Sequence, residues 1–153
     1  MKKLILLPLL FFSLISCEAF KDRDLKLAAV DTAKQNYTLA VEKEAAEALG
    51  KDHTRLQDCV SYFVNHTEFL IENIERGGEV KATVGIEMVA LSTQVRKHML
   101  GILSQAQGKT VNSFNFTEAL RLMKQQEPKL AENEFHKMKV NLIKTDKGWV
   151  GAN

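Results

Sequence analysis

Proline is nearly absent from this chain, and that absence constrains the fold more than any other feature. The 153 residues contain two prolines, Pro8 and Pro128. Proline breaks helices because it lacks a backbone N–H and its ring clashes with the preceding turn. The long intervening sequence is rich in alanine, glutamate, lysine and leucine, which are good helix formers. The composition therefore predicts a mainly α-helical protein.

Four segments carry apolar residues at intervals of three and four, which is the period of an amphipathic helix. They cover about residues 21–49, 54–76 and 79–107, and the fourth begins near Thr117 after a capping asparagine, Asn115. The second segment has the most regular stripe and supplies the predicted core: Leu56, Val60, Phe63, Val64, Leu70, Ile71 and Ile74. Glycines separate the segments, so we expect an antiparallel bundle of about four helices.

The second segment also shows where its helix should begin and end. Thr54 and Gln57 have the spacing of a capping box, which predicts the helix start. The pair Gly77-Gly78 predicts a tight reversal at the other end. The third predicted helix would then return antiparallel to the second.

Two stretches also fit strands. Val84, Ile86 and Met88 alternate, but we favour a helix there because the apolar stripe continues unbroken to Ile102. After Pro128 the chain fits either a further helix over about 130–139 or a strand over 137–144. In the second alternative, residues 145–148 form a turn.

The run from Val140 to Val150 contains Asp146-Lys147-Gly148-Trp149 and is similar to the closing hairpin of NTF2-like domains. The resemblance is confined to this run and implies a local hairpin. The full NTF2-like fold needs several long strands, which our predicted elements before Pro128 do not supply. We therefore predict a mainly α-helical bundle, with a short C-terminal β-hairpin as the alternative for its last residues.

The first residues predict export. Lys2 and Lys3 precede an apolar run from Leu4 to Ile15. That run has the character of a signal peptide and is shorter than the roughly 20 residues that a transmembrane helix needs. No later stretch of comparable length is free of charges.

The apolar run ends in Leu14-Ile15-Ser16-Cys17, which resembles the lipobox of bacterial lipoproteins. The resemblance implies cleavage between Ser16 and Cys17, so residues 1–16 would be the signal peptide and 17–153 a single helical extracytoplasmic domain. It also implies that acyl chains on Cys17 hold the protein in a membrane. Glu18 is not the aspartate that commonly marks inner-membrane retention, so the resemblance favours the outer membrane, facing the periplasm.

A soluble secreted protein is the alternative. Cys17-Glu18-Ala19 also fits an ordinary signal-peptidase site with cleavage before Phe20. Three Asn-x-Thr triplets, which begin at Asn36, Asn65 and Asn115, would be glycan acceptors in a eukaryotic secreted protein. We prefer to interpret these asparagines as helix caps and solvated helix positions.

The residues that carry chemistry form no recognisable set. If Cys17 is lipidated or removed, Cys59 has no partner for an intramolecular disulfide. The four histidines lack metal-ligand spacing, and no nucleophile elbow or phosphate loop is present. We therefore assign no catalytic, cofactor-binding or metal-binding residue. The net charge of +2, with acids and bases interleaved, argues against a nucleic-acid partner.

These observations predict a non-catalytic accessory protein that binds an unidentified envelope protein. The candidate partner surface combines aromatic, apolar and basic groups near the C-terminus: Phe135, Met138, Lys144, Lys147 and Trp149, with Lys137 and Lys139 near them. Such a surface suits an acidic partner. The alternative is a small-ligand carrier, for which the nearest polar candidates on apolar stripes are Thr67, Gln94, His98 and Asn115.

Overall fold

The computed structural model describes residues 22–106 and 109–152. The predicted signal peptide and Cys17 lie outside this part of the chain. The helices are α1 (Arg23–Leu49), α2 (Leu56–Asn65), α3 (Thr93–Gln105), α4 (Lys109–Asn112) and α5 (Phe116–Gln126). The strands are β1 (Glu68–Arg76), β2 (Lys81–Leu91), β3 (Asn133–Thr145) and β4 (Gly148–Gly151).

The predicted mainly α bundle is wrong, because the structure has a mixed α/β fold. Of the described residues, 50 % are helical and 29 % lie in strands. The second predicted helix ends at Asn65 and continues as β1, while the first part of the third forms β2. The domain that we expected to be helical therefore contains a four-stranded antiparallel sheet, in the order β1-β2-β3-β4.

Strand pairing explains the difference. Gly77-Gly78 does reverse the chain, but it joins two strands rather than two helices. β2 lies in the middle of the sheet and pairs along its whole length with β3, from Lys81↔Ile143 to Leu91↔Asn133. Pairing with this distant strand supplies hydrogen-bond partners for the backbone N–H and C=O groups of residues 81–91. The strand is therefore formed although the local apolar spacing also fits a helix.

The predicted core divides at the end of α2. Leu56, Val60, Phe63 and Val64 are buried as predicted. On β1, Leu70 pairs with the outward-facing Glu87 and is exposed. Ile71 and Ile74 pair with the buried Ile86 and Val84 and are half-buried, and they share this face because the register shifts between Ile71 and Asn73. The three residues of β1 therefore do not belong to a helix stripe.

The long helix α1 lies where the first apolar stripe predicts it. Its buried face carries one residue about every turn: Leu25, Ala29, Ala33, Tyr37, Val41 and Ala45. The first three pack on the sheet with Val84, Ile86, Val140, Leu142 and Ala82. The last three pack against the side chains of α2, α3 and the end of β2. One helix thus joins two clusters of the core.

The ends of two helices test the predicted caps. The side chain of Thr54 does not cap α2, which begins at Leu56 without a side-chain cap. Asn115 caps α5 as predicted, because its Oδ1 accepts a hydrogen bond from the backbone N–H of Glu118 at 3.0 Å. After Pro128 the chain forms the hairpin β3–β4, which is the strand alternative.

Candidate functional site

One face of the sheet points away from the helices. Along β2, Ala82, Val84 and Ile86 contact the helices, so the alternate residues Gly85, Glu87 and Val89 point to the outer face. Val89 pairs with Phe135 of β3, and Leu70 of β1 lies opposite Glu87. Leu70, Val89 and Phe135 therefore form an outer apolar patch.

The outer apolar patch is open to solvent. The Phe135 side chain is 68 % exposed and that of Leu70 is 47 % exposed, while Val89 is half-buried. Within residues 22–106 and 109–152, no element covers the two exposed side chains. Isolated exposed apolar residues are ordinary, but three neighbours that include an aromatic ring form the kind of patch that binds proteins.

Ion pairs neutralise the two lysines beside this patch. Lys137 Nζ lies 2.6 Å from Glu72 Oε1, and Lys139 Nζ lies 4.0 Å from Glu75 Oε1. Both pairs join β3 to β1 across β2. The hydrogen bond to Glu72 raises the pKa of Lys137. The lysines beside Phe135 are therefore already paired within the chain.

The structure does not bring the five predicted surface residues into one surface. Phe135 lies near the N-terminal end of β3. Lys144 pairs with Trp149 near the C-terminal end, and Lys147 lies in the turn that joins β3 to β4. Met138 and Trp149 are half-buried and pack against the sheet cluster of the core. Phe135 is thus separated from Lys144, Lys147 and Trp149 by most of the strand.

A solvent-open groove lies between the start of α3 and the start of β3. Its volume is about 740 Å³, and its lining comprises Ser92, Thr93, Gln94, Lys97, His98, Ala131, Asn133 and Glu134. The groove brings together Gln94 and His98, two of the candidates for a ligand carrier. The other two lie elsewhere: Thr67 Oγ1 donates to the Phe63 carbonyl, and Asn115 caps α5.

Beneath this groove, Arg96 forms a nearly buried polar cluster. Its side chain is 9 % exposed, and its Nε lies 3.0 Å from Glu44 Oε2. Its Nη1 donates to the Leu91 carbonyl at 2.5 Å and to Glu134 Oε1 at 3.3 Å. Burial would lower the pKa of Arg96, but the neighbouring Tyr37 and Glu44 raise it. Arg96 therefore remains charged and links α1, α3 and the sheet.

Glu134 is the second acid of this cluster. Partial burial alone would raise its pKa, but hydrogen bonds from His136 and Thr93, together with the charge of Arg96, lower the pKa to about 2. His136 Nε2 lies 2.9 Å from Glu134 Oε1, and Thr93 Oγ1 donates to the same oxygen at 2.8 Å. These contacts hold Glu134 ionised. Since all of them are made with residues of the same chain, we interpret the cluster as a structural support.

The remaining candidates for chemistry in the described residues are Cys59 and the histidine and acidic side chains. Burial raises the pKa of the Cys59 thiol to about 12, so it stays protonated at neutral pH. Among the residues that the structure describes, no group of three or more histidine, cysteine, aspartate or glutamate side chains is placed to hold a metal ion. The described helices include none that is long and apolar enough to cross a membrane.

The sequence analysis missed Leu70, Val89 and Arg96. Leu70 was placed on a helix stripe and Val89 lay within the third predicted helix, because residues 68–91 fit both periods. The signal that could have identified the strands is the Gly77-Gly78 pair, which also suits a two-residue hairpin turn. Nothing in the sequence around Arg96 marks it as buried. Comparison with protein-family models, curated proteins and solved structures gives no match.

Proposed function

We propose that this chain is a lipid-anchored protein of the bacterial cell envelope that acts by binding another envelope protein. The observation that carries the proposal is the outer apolar patch, in which Phe135 is 68 % exposed on an uncovered sheet face. Aromatic residues commonly contribute a large part of the binding free energy at protein interfaces.

The surroundings of the patch indicate the chemistry of the partner. Lys137 and Lys139 are paired with Glu72 and Glu75, and Glu68 and Glu87 lie on the same face, so the rim carries both signs with an excess of acidic groups. An acidic partner would therefore gain little electrostatic attraction from this rim. We therefore expect a partner that inserts apolar side chains between Leu70 and Phe135 and meets a polar rim of both signs.

The membrane anchor is supported by the sequence. Leu14-Ile15-Ser16-Cys17 matches the lipobox, and Glu18 favours the outer membrane over retention at the inner membrane. Acylation of Cys17 would leave the folded domain in the periplasm. The test is Cys17→Ala with membrane fractionation and intact mass. We expect the variant to remain unprocessed or to lack lipid, and a variant that is still processed and still in the membrane fraction would contradict the anchor.

The partner surface is tested by site-specific photo-crosslinking in the native host. A crosslinking amino acid at Phe135 should give one discrete adduct, whereas the same group at Asn141, which is also exposed on the outer face of β3, should not. Excess wild-type domain should compete the adduct away, and a Phe135→Glu domain should not. Adducts of equal yield from both positions would contradict the patch. An adduct with twice the mass of the chain would show that the partner is a second copy of this chain and not another protein.

The groove beside α3 supports a second candidate, a carrier of a small polar ligand. Gln94, His98 and Asn133 converge on its lining. Native mass spectrometry of the protein purified from its host tests this function. A small molecule that is retained by the wild type and lost in Gln94→Ala/His98→Ala would support it, and a ligand-free mass would contradict it.

A further inference from the structure

Three segments meet at one end of the domain. The start of α1 is joined to the end of β1 by an ion pair between Asp22 and Arg76. The turn after β1 is joined to the end of β3, because the Lys144 backbone N–H donates to the Val80 carbonyl at 2.8 Å. We call this region the turn end, and it comprises residues 22–26, 76–81 and 144–147.

The turn end is the part of the domain nearest to the predicted anchor. Cys17 precedes Asp22 by five residues in the sequence. An extended chain spans at most about 3.6 Å per residue, so five residues reach no farther than about 18 Å. If Cys17 carries the lipid, this short connection holds the turn end close to the membrane surface, whatever conformation the five residues adopt.

The chemistry of the turn end suits an anionic surface. It carries six basic and four acidic side chains. In the described part of the chain, Lys81, Lys144 and Lys147 are exposed and form no ion pair, in contrast to Lys137 and Lys139 farther along the sheet. The acids are Asp24, Glu79, Asp146 and Asp22, and the last is neutralised by Arg76.

An exposed apolar residue lies among these lysines. Val80 is 55 % exposed in the turn between β1 and β2, directly before Lys81. Its carbonyl is held by Lys144, so its position in the turn is fixed. A short apolar side chain flanked by lysines matches the boundary between phospholipid headgroups and acyl chains, where lysine ammonium groups meet phosphates.

We propose that the turn end docks on the anionic phospholipid headgroups of the membrane that holds the anchor. This inference rests on the proposed acylation of Cys17. Basic residues near an anionic membrane are attracted within about a Debye length, roughly 8 Å at physiological salt. Docking therefore fixes the orientation of the domain. The outer apolar patch at Val89, eight residues along β2 from Lys81, then lies about 26 Å from the turn end, at the end of the sheet farther from the membrane.

The test uses the mature lipidated chain in vesicles. An environment-sensitive fluorophore is attached at Val80→Cys, with Phe135→Cys as the control position at the other end of the sheet. Cys59 is buried, so the introduced thiol is the one that reacts. In vesicles of phosphatidylcholine and phosphatidylglycerol in equal amounts, a headgroup-level quencher should act about twice as strongly on the label at residue 80 as on that at residue 135.

Charge variants separate electrostatic docking from simple proximity. Lys81→Glu/Lys144→Glu/Lys147→Glu should reduce the difference between the two labels to the part that the short connection to Cys17 produces, as should high salt or pure phosphatidylcholine. The matched control, Lys43→Glu/Lys51→Glu/Lys129→Glu, makes the same change in net charge at exposed positions outside the turn end and should retain the difference.

The outcomes distinguish this inference from the proposed anchor. Intact mass reports acylation independently, so an unmodified Cys17 means that the anchor itself has failed. A lipidated chain with equal quenching at residues 80 and 135 overturns docking. Equal effects of the two triple variants, or equal quenching in the two lipid compositions, also overturn it.

Discussion

The side chain of Asn73 takes the place of a backbone partner for Gly85. Asn73 Oδ1 accepts a hydrogen bond from the Gly85 N–H at 3.1 Å, where the register between β1 and β2 shifts after Ile71. A Cβ atom at position 85 would lie 2.2 Å from that oxygen. Gly85 is therefore required because a neighbouring side chain approaches its backbone closely at an irregularity of the sheet.

Gly85→Ala should destabilise the domain by about 2 kcal/mol, because the methyl group displaces Asn73 and leaves the Gly85 N–H without its partner. Urea denaturation monitored by circular dichroism measures the loss. Gly101→Ala is the matched control: nothing lies within 4 Å of a Cβ added at that position in α3. It should stabilise the domain by about 0.5–1 kcal/mol. Equal effects of the two substitutions would contradict the Asn73–Gly85 contact.

Phe63→Ala and Leu70→Ala should separate the true core from the outer face. Phe63 is fully buried, so its truncation should cost about 3–5 kcal/mol of unfolding free energy. Leu70→Ala should cost less than about 1 kcal/mol, because its side chain is 47 % exposed. Chemical denaturation of both variants provides the measurement. A large loss in the Leu70 variant would mean that this residue packs in a core, as a helix stripe would require.

Arg96→Met should lower the free energy of unfolding by about 3 kcal/mol, because Glu44 and Glu134 lose the positive charge that compensates their partly buried carboxylates. Arg121→Met removes an arginine from an exposed pair with Glu118 and should change the stability little. Thermal unfolding of both variants at neutral pH gives the comparison. Similar melting temperatures would show that the Arg96 cluster is not a structural support.

The Glu134 carboxylate should make stability depend on acid pH. Its pKa falls from 4.5 to about 2 on folding. The ionised group therefore contributes stability that is present above pH 4.5 and is lost as the pH falls towards 2. Glu134→Gln should flatten the pH dependence within this window and lower the stability at pH 7. The control is Glu127→Gln, which removes an exposed carboxylate that forms no ion pair in the described part of the chain. An unchanged acid limb in Glu134→Gln would contradict the assigned pKa.

Elements whose structure depends on their own residues were accessible from the sequence. The stripe of α1 needs only the spacing of Ala33, Tyr37 and Val41, and the cap of α5 needs only Asn115 and Glu118 three residues on. The turn at Asp146-Lys147-Gly148 indicated the hairpin β3–β4 as an alternative, and Gly148 has a positive φ of 113°. In each case, the decisive interactions are short-range.

The tertiary structure decided the state of residues 68–91. Their apolar residues fit a helix locally, but β2 finds its partner in residues 133–143, more than forty positions later. The sheet formed in this way places Leu70, Val89 and Phe135 on one uncovered face and moves Trp149 to the other end. The polar cluster has the same origin, because Glu44, Arg96 and Glu134 lie on separate elements and meet only when α1, α3 and β3 pack. The apolar spacing of a short segment reports only its local preference. The stabilisation from pairing with a distant strand arises only when the chain folds, and here it outweighs that local preference.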